Sequence, residues 1–187
     1  VRDAVAFIER TLRQHTLTFA LEVGRYLFEH VYQADRELFH NGGHPWQTET
    51  IRQIAADPRV ALQPQFLYRS IHAYLARERT AAALPPGENL PDLPVSAWNA
   101  LWPIESNESA LVPVARWAAT NRVPVREVAD TAALVEPYLA AGGRLEDLLP
   151  TRSKERNTPY RRLTRILDVL DSLLPPSTSS SPRSSPS

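Results

Sequence analysis

The chain lacks cysteine and methionine altogether, and of its 21 basic residues only Lys154 is a lysine. Without cysteine there are no disulfides, no thiolate nucleophiles and no cysteine-ligated zinc, a composition compatible with a reducing compartment. Long apolar runs are missing too: nothing approaches the roughly 18 residues of a helical membrane span, and no charged-then-apolar leader opens the sequence. The expectation is a cytoplasmic protein with no membrane contact. Net charge is also absent, with 21 basic against 21 acidic side chains, which argues against a protein that coats nucleic acid by bulk charge. The preference for arginine accompanies many alanines and prolines. It reads as a coding bias rather than as selection for phosphate binding.

Enzyme constellations are lacking as well. The six glycines form no phosphate-cradling loop, and G-x-S-x-G, H-E-x-x-H and any nucleophile with a base at a recognisable spacing are all missing. His40 and His44 flank Gly42-Gly43, but with only Asp35 and Glu37 nearby they fall short of a zinc pattern. The sequence therefore predicts a non-enzyme with no cofactor and no metal.

What is present is 43% hydrophobic content in 187 residues, enough for one modest domain with a real core. Helical periodicity runs throughout, and the predicted fold class is all-α. Charge is unevenly spread: residues 1–90 balance ten against ten, residues 91–150 carry four basic and eight acidic, and residues 151–187 carry seven and three. From Pro175 onward the sequence is PPSTSSSPRSSPS, too polar and proline-rich to offset its ordering entropy, which predicts a disordered tail. The predicted organisation is a helical domain over 1–150 with a connector at 81–94, a basic amphipathic helix at 151–174 and a tail at 175–187.

The most informative stretch runs from Thr48 to Arg79. Ile51, Ile54 and Ala55 give the stripe of a short helix ending at Asp57-Pro58, because proline disfavours helical geometry before it and donates no hydrogen bond. A longer helix starts at Pro64, pre-shaped for a first turn, with Leu67, Ile71, Tyr74 and Leu75 as its apolar stripe. This is the outline of a helix-turn-helix. The polar residues left at the front of the second helix are Gln63, Gln65, Arg69 and His72, whose donors and acceptors suit base edges and phosphates. The competing reading is one more helical hairpin of an all-α core, with Arg69 and His72 merely solvated.

Elsewhere, Arg2 to about Tyr32 reads as one helix, or two joined near Thr16–Thr18, with Gly24 placed to let another helix approach closely. Asp35–Phe39 reads as an extension or cap. After the proline-rich connector come helices at Val95–Trp102, with Ser96 as N-cap, at Glu108–Asn121 and at Arg126–Leu139; Ala110–Tyr138 reads as a second, more acidic helix pair. Residues 158–174 form the cleanest amphipathic pattern, with Leu163, Ile166, Leu167, Leu170 and Leu174 as the stripe. Arg152, Lys154, Arg156, Arg161, Arg162 and Arg165 make the basic cluster beside it, suited to a phosphate backbone, while the leucine stripe is suited to a homodimer contact. A helix packed back on the domain with a solvated basic face is the alternative.

The succession ALEVGRYLFEHVY, TIRQIA, FLYRSIHAYL resembles the helical, winged-helix-like modules that precede restriction-type nucleases in bacterial defence and mobile-element proteins. Later segments, LPVSAWNALWPI and VPVREVAD, resemble loosely the DNA-binding helices of ParB-type partition proteins. The resemblance covers roughly residues 18 to 135 and implies an all-helical, DNA-binding-like module. No nuclease domain accompanies it, and the S-x-S opening of the recognition helix is replaced by Gln63-Pro64-Gln65. Two functions are therefore expected to compete. One is a regulatory or accessory protein that binds double-stranded DNA through the helix-turn-helix. The other is a self-associating or partner-binding module built on a degenerate version of it.

Overall fold

The computed structural model describes residues 2–60 and 62–149, with side chains from residue 14 onward. Regular structure in that range is entirely helical. In order come α1 (Arg2–His30), α2 (Arg36–His40), α3 (Pro45–Ala56), α4 (Pro64–Ala83), α5 (Val95–Ala100), a 3₁₀ turn (Trp102–Ile104), α6 (Glu108–Thr120), α7 (Val125–Ala140) and α8 (Leu145–Leu148). The all-α expectation holds. None of these helices is long and apolar enough to cross a membrane. The expected 158–174 helix and the tail lie outside the described residues.

Several boundaries differ from the sequence expectation for local reasons. Helix α1 runs unbroken through Thr16–Thr18, since the propensity cost of β-branched residues, roughly 0.7 kcal/mol each at most, is small beside burial of a helical face. It ends where Gln33 and Ala34 take left-handed φ of 56° and 58°. Asp35 is then a true N-cap, its Oδ1 accepting from the Leu38 amide at 2.8 Å, so 36–40 is a separate helix rather than an extension of α1. Helix α3 starts at Pro45, earlier than Thr48, because proline fits a first turn and the Gln47 side chain accepts from the His44 amide at 2.6 Å. Ser96 is not the N-cap of α5: extended Pro94 holds that position and Ser96 lies inside the first turn. That helix closes at Ala100, and the chain tightens into the 3₁₀ turn at Pro103.

Helix α4 is the centre of the molecule. Its most extensive packing is against α1, and it also meets α3, α5 and α6. One side, with Leu67, Ile71 and Leu75, faces a core built from Leu27, Phe28, Val31 and Tyr32 of α1, Phe39 of α2 and Ile51 of α3. Its other side contributes Ala73 and Ala76 to a second core formed by Trp98, Leu101, Ile104, Leu111, Val114, Val128 and Val135. Each fully buried Leu or Ile removes enough apolar surface from water to stabilise the fold by about 1.5–3 kcal/mol. The α1–α4 approach depends on Gly24, which sits directly against the backbone of Ser70.

Candidate functional site

The segment expected to be a helix-turn-helix contains its two helices, α3 and α4, in contact with each other. The connection is longer than the three or four residues of a tight turn, since Ala56 ends one helix and Pro64 begins the next. Within it Asp57 accepts from the Arg59 amide at 2.9 Å and pairs with its guanidinium. Those bonds hold the Asp57 carboxyl below the usual carboxylate range.

The four residues expected to read DNA divide three to one. Gln63, the N-cap of α4, and Gln65 and Arg69 in its first two turns are all exposed. Arg69 stands without an ion-pair partner among the described residues. By contrast Arg25, Arg36, Arg52, Arg59, Arg79, Arg116 and Arg144 each pair with a carboxylate. His72 is corrected: it is half-buried rather than solvated or presented outward. Its Nδ1 lies 3.1 Å from Asn99 Oδ1, and its ring stacks on Trp102 at 4.3 Å and 9°. Burial pushes its imidazole below the ordinary histidine value, a shift that the Asn99 contact partly offsets. Helical phase places His72 among the polar residues of α4, but α5 and the 3₁₀ turn, some thirty residues later, cover it. The basic cluster of Arg152, Lys154, Arg156, Arg161, Arg162 and Arg165 lies outside the described residues, as do Leu163, Ile166, Leu167, Leu170 and Leu174.

A second constellation escaped the sequence reading. His40 stacks on Trp102 at 4.4 Å and 13°, so the indole lies between two imidazoles, with Phe39 edge-on at 5.3 Å. Beneath it is Glu105, 1% exposed. Its carboxylate accepts from Arg36 and meets His40 Nε2 at 3.0 Å, and Arg36 also bridges to Glu78 of α4. A buried carboxylate is tolerable only with such partners. The nearest sequence signals are weak: Arg36 and His40 share a helical face at i, i+4, and Trp102 and Glu105 stand three apart. Neither spacing says that the two pairs meet. The cluster includes no nucleophile, and no group of three or more His, Asp or Glu among the described residues could hold a metal ion. His44 is exposed, and Gly42 and Gly43 adopt positive φ, as expected of a loop.

No family model, curated protein or solved structure matches the chain.

Proposed function

We propose that the chain is a cytoplasmic, non-enzymatic, DNA-associated regulatory or accessory protein that offers the front of α4 to duplex DNA. The observation that carries this reading is the joint exposure of Gln63, Gln65 and Arg69 at the start of a 20-residue helix, with no ion-pair partner for Arg69 among the described residues. Glutamine amides match adenine edges, and arginine matches guanine or phosphate. Recognition helices read bases with their N-terminal residues, which suits a helix whose later turns are committed to two cores. The cluster at 152–165 would supply phosphate contacts, and the resemblance of 18–135 to DNA-binding modules favours the same class.

The test is fluorescence anisotropy of the full chain with random and AT-rich duplexes at two salt concentrations. Affinity should fall as salt rises, with a log–log slope near −0.9 per phosphate contact. Gln65→Ala with Arg69→Ala should weaken binding about tenfold or more, and truncation after Pro150 should flatten the slope. Equal affinity of the double variant would remove α4 from the interface.

A second reading, a partner-binding or self-associating module, is favoured by Phe19, Tyr26 and Trp46, which are 48%, 60% and 49% exposed. Absence of duplex binding at low salt would select it. Light scattering before and after truncation at Pro150 then tests whether the 163–174 stripe holds two copies together.

A further inference from the structure

Helix α1 carries its exposed rings in a row. At helical pitch His15, Phe19, Tyr26 and His30 fall within a sector of about 60°, turned well away from Gly24, the residue that packs on α4. All four are exposed, Phe19 by 48% and Tyr26 by 60%. Neighbouring rings hold two of them in place: Phe19 stacks on Phe66 of α4 with centroids 6.0 Å apart and planes at 24°, and Tyr26 lies 4.3 Å from the His30 ring. Phe66 carries the row onto the front of α4. There Arg69 is its neighbour one turn further on, with no ion-pair partner among the described residues.

The flanks of the row decide what it fits. Glu22, Arg25 and Glu29 are exposed beside it, with Arg25 and Glu29 paired at 3.6 Å, so the rings stand apart instead of merging into one apolar patch. The core of a protein interface is depleted of charged residues, and this surface is not. A nucleic-acid strand needs the opposite arrangement, spaced aromatic faces for its bases and a cation for its backbone. Phe19 and Tyr26 are separated by about 10 Å along the helix, close to three base steps of roughly 3.4 Å. By helical phase Glu22 lies on the flank opposite Gly24 and α4, while Arg69 is on α4 itself, so the phosphates of a strand meet the positive charge on one side only.

We propose that this row, continued by Phe66 and Arg69 of α4, is a stacking platform for single-stranded nucleic acid, with bases on the open faces of Phe19 and Tyr26 and a phosphate on Arg69. The inference rests on the reading of the α4 front as a nucleic-acid contact, and it adds an unpaired strand to what that front receives. Phe19 and Phe66 already cover each other on one side, so a base adds to the outer face of Phe19. In a duplex the base faces are occupied by their stacked neighbours, which is why these rings select an unpaired strand. Every base has an aromatic face, so the platform is tolerant of sequence.

The experiment is fluorescence anisotropy of the full chain with labelled oligo(dT) of about 20 nucleotides and with a duplex of the same length, for the parent, Phe19→Ala, Phe19→Trp and Tyr26→Ala. Both positions are exposed, and unchanged circular dichroism checks that each variant folds. Each alanine variant should weaken oligo(dT) binding about fivefold or more, Phe19→Trp should retain it, and duplex affinity should be the same in all four chains. Oligo(dT) affinity that neither alanine variant changes would overturn the platform, and would leave the duplex reading standing if Gln65→Ala with Arg69→Ala still weakens duplex binding. Equal losses on strand and duplex would also overturn it, since the rings would then not select unpaired bases. Strand binding that Phe19→Ala breaks, in a chain with no affinity for duplex, would support the platform and overturn the duplex reading. Absence of binding to either probe would overturn both.

Discussion

Gly24 of α1 lies flat against Ser70 of α4: a β-carbon at position 24 would stand 2.1 Å from the Ser70 carbonyl oxygen and 2.5 Å from its carbonyl carbon. The obstruction is backbone inside a helix, so no rotamer change relieves it. Helix propensity alone favours alanine over glycine by up to about 1 kcal/mol, whereas overpacking at a fixed contact costs about 1–3 kcal/mol. Gly24→Ala should therefore destabilise by up to about 2 kcal/mol, read as a lower urea midpoint at unchanged m-value. At the same contact the Ser70 hydroxyl is buried without a hydrogen-bond partner among the described residues. Ser70→Ala should accordingly be neutral or stabilising by up to about 1 kcal/mol. A destabilising Ser70→Ala beside a neutral Gly24→Ala would contradict this account of the helix contact.

Gln47 is wholly buried and uses both ends of its amide, donating to the Val31 carbonyl at 2.9 Å and accepting from the His44 amide. It ties the start of α3 to the end of α1. Gln47→Leu keeps the volume but strands both backbone groups and should cost about 2 kcal/mol by urea denaturation. Gln47→Glu should behave differently with pH. Ionised, it turns a buried charge on the Val31 carbonyl; protonated, it can donate to that carbonyl. Its deficit should shrink between pH 7 and pH 4, measured relative to the parent at each pH.

Removing Arg36 leaves buried Glu105 with His40 as its one remaining charged partner among the described residues. Arg36→Ala should cost about 3–5 kcal/mol. Adding Glu105→Gln should recover part of that loss, because the uncompensated charge goes with it. Strict additivity in the double-mutant cycle would show that the two groups do not act as a pair.

At the alkaline end Tyr32 dominates. Burial, reinforced by the neighbouring Tyr68 and its hydrogen bond, raises the Tyr32 phenol well above the ordinary tyrosine value. A phenol that ionises more readily unfolded than folded contributes stability fully present below about pH 10 and lost as pH rises beyond it. Tyr32→Phe should be less stable at pH 8 but lose less on going to pH 10.5, as followed by circular dichroism.

The sequence was most legible where one helix carries its own signal. The stripe of Leu67, Ile71 and Leu75, the start at Pro64 and the close approach at Gly24 all follow from local pattern, and the structure has each of them. Local pattern misled where a distant segment decides the outcome. His72 falls on the polar side of α4 by helical phase, yet α5 and Trp102 enclose it. Glu105 carries no local signal of burial, yet it is buried because Arg36 and His40, 69 and 65 residues earlier, close over it. Ser96 has the chemistry of an N-cap, but extended Pro94 sets the helix start first. Gln63, Gln65 and Arg69 lie exposed because no later element among the described residues covers the first turns of α4.

Because α4 is a wall shared by two cores, neither half of the chain can complete itself during synthesis. Leu27, Phe28, Phe39 and Ile51 leave the ribosome before the residues that cover them, and the core built on Trp98 and Val128 has no floor without Ala73 and Ala76. The N-terminal half must wait for position 83 to emerge, exposing its apolar faces meanwhile to chaperones and to other nascent chains.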